Sequence, residues 1–258
     1  MSTLALQVGA ISERAVRRTL RQPAAIIPAI AFPIILLFVT SGGLNAASSL
    51  PGFPDVSYFD FVLAVTFMQG AVFATGGAGT DLAADIDSGF LNRLSLTPMS
   101  GAALVLGQLG GAIVLGIFQA ACYLGAGFLG GATMSSGVTG VVVVFFLVVL
   151  MAIGFGSIGV AAALRTGNGE AVQGLFPILF ILLFISSTFL PLDLIPIDWF
   201  RWIATVNPIT YLVNAVRSLI ITGWDWPALA AGFAVALGIM IVGITLSAAA
   251  LRGRLQRT

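Results

Sequence analysis

Three aspartates fall within seven residues, Asp81, Asp85 and Asp87, and carboxylates this close together can serve a hard divalent cation. Only one Asp-x-Asp pair is present and no glycine loop follows to fold oxygens round an ion, so no metal site is expected. The chain contains no His and no Lys, its 11 basic residues all being arginine. That removes Ser/His and Cys/His dyads, Schiff-base lysines and the Walker A lysine. No catalytic residue and no ATP hydrolysis through a P-loop are therefore expected. Gly154-Phe-Gly156-Ser-Ile-Gly159 matches the dinucleotide pattern GxGxxG, but that fingerprint needs a strand before it and a helix beginning at it. It lies inside an apolar run instead. These glycines, with Gly76, Gly77, Gly79, Gly107, Gly110, Gly111 and Gly116, read as small faces for close helix contact. A GxSxG elbow is absent, and the single Cys122 excludes an internal disulfide and a thiolate cage.

The elements that must position these residues are membrane spans. Of 258 residues, 59% are hydrophobic and 8% charged, where soluble domains carry about a quarter charged residues. The formal net charge of +1 argues against nucleic acid as a partner. Charge-free windows run from Gln22 to Pro54, Phe61 to Thr80, Leu94 to Leu164, Ala171 to Leu192 and Trp226 to Leu251. A span needs about 20 apolar residues, and the third window, 71 residues broken at Gly130 to Gly137, holds two. Six spans are expected, at about 24–41, 59–80, 103–126, 138–163, 172–190 and 227–250. The fold class is an all-α polytopic membrane protein forming one permease domain over 1–258, with a 1–23 interfacial helix, a 24–250 bundle and a 251–258 tail.

Arginine placement sets the orientation, because short cytoplasmic loops carry the basic excess. With the amino terminus inside, nine arginines are cytoplasmic and only Arg201 and Arg217 lie outside, which brings both termini to the cytoplasm. A competing reading makes residues 1 to about 47 a cleaved leader; Pro28, Pro33 and the 22 residues before the apolar run weigh against it. Leu4 to Arg21 sets Leu6, Ile11, Val16 and Leu20 against Glu13, Arg14, Arg17, Arg18 and Arg21, the pattern of a helix lying in the membrane interface. A plain positive-inside anchor explains the same arginines. The stretch from Asp81 to Ser100 reads as a loop carrying a short amphipathic helix, stopped at Thr97-Pro98, that could dock a cytoplasmic protein. Residues 190–225 read as helices dipping into the outer leaflet, with Trp199, Trp202, Tyr211, Trp224 and Trp226 at headgroup depth.

Within the spans the chain keeps almost no ionisable group, whereas an ion-gradient-driven secondary transporter or channel, the alternative function, generally needs a buried acid. Thr66, Gln69 and Phe73 share a face of the second span, and Phe176, Phe180 and Phe184 form a stripe on the fifth. Such a stripe serves packing or lipid contact, or lines a path for a hydrophobic substrate.

Taken together, three pieces resemble the ABC-2 type permeases, especially the antibiotic-resistance branch typified by the daunorubicin exporter permease. They are the amphipathic start ending in Arg21-Gln-Pro23, the loop Ser88-Gly-Phe-Leu-Asn-Arg93-Leu-Ser-Leu-Thr-Pro98, and Phe189-Leu-Pro191-Leu-Asp-Leu-Ile-Pro196 followed by Asn207-Pro208-Ile-Thr-Tyr211 and Arg217. The chain departs from relatives at Asp85-Ile-Asp87, where they usually carry Glu beside a basic residue. The resemblance implies a type V exporter-like fold and a subunit with no cofactor of its own, ATP and magnesium residing in a separate ATP-binding cassette ATPase. It implies ATPase coupling through Glu13, Arg14, Arg17, Arg18, Asp85, Asp87, Arg93, Thr97 and Pro98. It also implies an outer gate at Pro191, Pro196, Asn207, Pro208, Tyr211 and Arg217, and a second or paralogous permease completing a path faced by the second and fifth spans. The expected setting is a bacterial-type plasma (inner) membrane, with membrane lipid as a further partner and a hydrophobic drug, lipid or glycoconjugate as cargo.

Overall fold

A computed structural model describes residues 3–95 and 100–256, which form helices and turns without strands. In chain order the helices are α1 (Thr3–Leu20), α2 (Pro23–Gly43), α3 (Tyr58–Asp87), α4 (Phe90–Ser95), α5 (Gly101–Leu129), α6 (Gly137–Thr166), α7 (Gly169–Gln173), α8 (Leu175–Phe184), α9 (Asp198–Val206), α10 (Pro208–Ile221) and α11 (Trp226–Leu255). Short 3₁₀ turns cover Asn45–Ser49 and Leu192–Leu194. Local chemistry sets many of the starts. Ser57, Ser100, Asn168, Asn207 and Asp225 each accept a hydrogen bond from the first turn they precede, the usual work of a side-chain oxygen at an N-cap.

Helices α2, α3, α5, α6 and α11 are long and apolar enough to cross a bilayer, so five of the six expected spans are single long helices. The expected span at 172–190 is divided instead between α7 and α8, and the helix ends at Phe184. Side chains stop it. Ser186 and Thr188 both donate to the Leu183 carbonyl, at 2.6 and 2.8 Å, and Asn207 Nδ2 donates to Leu182 and Ile185 carbonyls. These groups offer the last-turn carbonyls an alternative to a further helical turn. A second difference concerns the expected loop after Thr80. Nothing breaks the helix until Ser88-Gly89, so α3 runs on to Asp87, and all three aspartates sit on its last turns. Gly89, at φ +69°, then turns the chain into α4.

Helix α3 is the hub, buried along most of its length among α2, α5, α6 and α10. Its closest crossing is with α6 at Gly79 and Gly159, where a Cβ on Gly159 would lie 1.9 Å from the Thr75 carbonyl. The GxGxxG run is thus a packing face, and Gly154 also receives α11 at Met240. Pro33 lacks an N–H, so the Ala29 carbonyl four residues earlier has no donor within α2. Gln119 and Tyr123 of α5 supply two, at 2.9 and 2.7 Å, fixing the middle of α2. The outward faces of α2 and α11 expose Ile27, Ile35, Val39, Ile241 and Val242, an apolar surface suited to lipid.

Candidate functional site

Helix α1 and the last turns of α11 lie at one end of the bundle, since Ile11 packs on Gly107 and Leu251 on Gly101, both near the start of α5. Helix α1 owes its position to glycine. Ile11 sits over Gly107, Ser12 over Gly110, and Ala15 with Thr19 over Gly111, positions where any side chain on α5 would collide. The apolar face of α1 is therefore divided: Ile11 and Ala15 are buried against α5, while Leu4, Leu6 and Leu20 stay exposed.

On its other side α1 is tied to the end of α3 by ions. Arg14 forms two parallel 2.7 Å hydrogen bonds to the Asp85 carboxylate, and Arg18 reaches the same carboxylate at 2.7 Å and Asp81 at 2.9 Å. Gln22 donates to Asp81 and Gln108 of α5 to Asp85, at 3.1 and 3.3 Å, so three helices share one polar junction. Two guanidinium groups balance two carboxylates, and the Asp85 side chain is only 5% exposed. Hydrogen bonding to Asp85 holds the Arg14 pKa above its ordinary value. The Arg14 guanidinium also stacks 3.9 Å from the centre of the Phe90 ring, joining α4 to the cluster.

The remaining expected coupling residues face outward. Glu13 and Arg17 pair with each other on the exposed side of α1, and Arg14, Arg17, Arg18 and Arg21 line an open groove of about 670 Å³. Asp87 and Arg93 are exposed. Thr97 and Pro98 lie outside the described residues. Asp81 and Phe90 were not legible as partners of Arg18 and Arg14, nor Gln22 and Gln108 as donors to Asp81 and Asp85, because most of these contacts, such as Gln22 to Asp81 across 59 positions, join segments far apart in sequence.

The expected path residues separate into two groups. Phe73 meets Phe176 at 5.1 Å, Phe176 meets Phe180 at 4.6 Å and Phe180 meets Phe184 at 6.1 Å, with Phe32 of α2 edge-on to both Phe73 and Phe180. Phe189 continues this aromatic ladder beyond Phe184. Thr66 and Gln69 are instead buried in the core, Thr66 bonding back to the Leu63 carbonyl.

At the far end Asn207 joins α8 to α10, Pro208 opens α10, and the Tyr211 hydroxyl donates to the Thr205 carbonyl at 2.8 Å. Arg217 is buried. It donates to the carbonyls of Phe61, Ser187 and Thr188 and to Asn214 Oδ1, and stacks 3.6 Å from the Phe61 ring centre. Pro191 flanks the Leu192–Leu194 turn, and Pro196 is exposed before α9.

The sequence profile of the ABC-2 type transporter family matches residues 6–221, from the fourth residue of α1 through the end of α10. The chain belongs to that family. It is also 26% identical over 227 residues to a Porphyra purpurea protein named "Putative transport permease ycf38", covering 85% of this chain and 75% of the relative. The protein of the same name from Cyanophora paradoxa is 27% identical over 206 residues, 77% of this chain and 69% of the relative. An ABC-2 chain is a membrane permease that works with an ATPase partner, and the polar junction lies at the end of the bundle rich in exposed charge.

Proposed function

We propose that this chain is the transmembrane subunit of an ATP-binding cassette exporter that moves a hydrophobic drug, lipid or glycoconjugate out of the cytoplasm or inner leaflet. A separate ATPase, holding ATP and magnesium, supplies the energy. It presses on the exposed sides of α4 and α1 and on the end of α3, at Arg93, Arg17, Glu13 and Asp87. The observation that carries this reading is the half-buried Arg14–Arg18–Asp81–Asp85 cluster behind that face, closed round the buried Asp85 carboxylate. A push on α4 reaches Phe90, Arg14 and hence the ends of α3 and α5 as one body, because a charged junction of this kind resists separation of its parts. The Phe ladder between α2, α3 and α8 suits an apolar cargo, and a second permease copy or a paralogue would close the path. Both termini face the cytoplasm of a bacterial-type inner membrane in this arrangement.

The test is reconstitution in proteoliposomes with and without an ATP-binding cassette ATPase that co-purifies with the chain. Transport of a fluorescent amphiphile only with the ATPase and ATP is expected; transport by the isolated chain on a proton gradient would overturn the reading. An epitope inserted between Ser48 and Pro51 should label in intact cells, and labelling only after permeabilisation would invert the topology.

A further inference from the structure

The last four carbonyls of a helix have no donors of their own. In α10 a different part of the chain supplies most of them. The turn joining α5 to α6 lays Ser135 and Ser136 across the helix end: Ser136 donates from N at 3.1 Å and from Oγ at 2.7 Å to the Leu219 carbonyl. Ser135 donates from N at 3.1 Å and Oγ at 2.9 Å to Ile220, and from Oγ at 2.7 Å to Ile221. Gly131 at φ +92° and Gly137 at φ +66° shape this turn, a backbone region that glycine alone enters readily. The other end of α10 is held by Asn207, which accepts from Ile209 N and donates to the end of α8. Arg217 ties the middle to α3 and to the Ser187–Thr188 backbone. Leu212, Val213, Val216 and Leu219 are fully buried, and Ala215 occupies the space a Cβ on Gly232 of α11 would need.

Its neighbour α9 is attached differently. It packs on α10 and on the Leu192–Leu194 turn, and its tie to α10 is at one end, through Thr210 and Tyr211 to the Ala204 and Thr205 carbonyls. Trp199, Trp202 and Val206 are 61%, 67% and 56% exposed.

We infer that Ser135 and Ser136 are positioning residues that clamp α10 as a fixed wall, and that the segment moving at this end during the ATP cycle is 192–206, pivoting at Asn207. The moving half of the statement rests on the proposed ATP-driven reading; the clamp does not. A helix whose end carbonyls, centre and N-terminus are all bonded to four other segments opens only when those bonds break together.

Hydrogen exchange read by mass spectrometry on the permease with its ATPase in lipid nanodiscs tests both halves. Between nucleotide-free and ATP–vanadate-trapped states, exchange in 192–206 should change while 208–221 stays equally protected. In the permease alone, Ser135→Ala with Ser136→Ala should speed exchange in 208–221 and at residues 135–136 by about tenfold or more. Ser135→Thr, which keeps the hydroxyl, should leave wild-type protection. A nucleotide-dependent change within 208–221, or full protection in the double alanine variant, would overturn the inference. Failure of the ATPase to associate would instead count against the proposed function, leaving the clamp to be judged on the variants.

Discussion

Arg14 and Asp85, 71 positions apart, face each other through a two-pronged contact with both bonds at 2.7 Å, and Phe90 covers the guanidinium on one face. The carboxylate is therefore fully used inside the chain, by Arg14, Arg18 and Gln108. Its effect on an ATPase is then exerted through the position of α1 and α4.

Removing this carboxylate should release α1. Asp85→Ala strands Arg14 and leaves Arg18 with Asp81 as its remaining carboxylate, and losing one partner of a buried ion pair costs roughly 3–5 kcal/mol. Arg14 keeps 39% of its side chain exposed, so water recovers part of that, and about 2–3 kcal/mol is expected. Arg14→Lys should cost less, since an ammonium keeps the charge but not the paired bonds. Thermal unfolding in detergent, with limited proteolysis within 3–22, reads both. An unchanged melting temperature together with a protected α1 in Asp85→Ala would refute the junction as a fastening.

Arg93 and Asp87 are both exposed, without a side-chain partner among the described residues, and that exposure makes them neutral for folding. Arg93→Ala and Asp87→Ala should leave membrane insertion and melting unchanged while lowering co-purification of the ATPase or ATP-dependent transport several-fold. Wild-type turnover in both variants would remove α4 as the docking element.

How much of this was visible beforehand depended on the range of the interaction. Five spans followed from windows free of charge, because the bilayer's length requirement acts locally on sequence. The division at 172–190 did not, since Asn207 takes the Leu182 and Ile185 carbonyls from 22 to 25 residues away. The amphipathic pattern of α1 was legible, but not which of its arginines would pair with α3. That choice is made by the glycines of α5, which set how closely α1 can approach, and by Asp81 and Asp85 continuing a helix expected to end at Thr80. The Phe176, Phe180 and Phe184 stripe was periodic and so visible, whereas Phe32 belongs to it only through contact between helices.

Gly76 and Gly77 of α3 should behave oppositely to the glycines at the α3–α6 crossing, Gly79 and Gly159. At Gly76 and Gly77 a Cβ meets nothing within 4 Å, and replacing glycine by alanine inside a helix is worth roughly 0.5–1 kcal/mol. Gly76→Ala and Gly77→Ala should each raise the melting temperature slightly. At Gly79 a Cβ would lie 2.7 Å from the Gly159 carbonyl, and at Gly159 only 1.9 Å from that of Thr75. Gly159→Ala must push α3 and α6 apart, and overpacking of a close interface costs about 1–3 kcal/mol or more. Equal thermal stability of Gly159→Ala and Gly76→Ala would show that the crossing is looser than the geometry requires.

Arg217 presents the reverse of the Asp85 problem, a buried cation bonded only to neutral acceptors among the described residues. Asn214 Oδ1 already lies 2.9 Å from Nη1 and also accepts from the Ser187 hydroxyl at 3.1 Å. Asn214→Asp would place a carboxylate oxygen where two donors already point. Hydrogen bonds between charged groups are worth about 1.5–3 kcal/mol against about 1 for neutral ones, and desolvating the new carboxylate offsets part of the difference. A net gain of about 1 kcal/mol is expected, read as a higher melting temperature in detergent. Arg217→Leu should act the other way. It leaves the Ser187 and Thr188 carbonyls without this donor in a buried site, each costing about 1–3 kcal/mol, and it frees the centre of α10 from α3. Combining Asn214→Asp with Arg217→Leu then separates the terms: a carboxylate buried without its cation should make the double variant less stable than Arg217→Leu alone. If Asn214→Asp raised stability equally in the presence and absence of Arg217, the gain would not come from this pair.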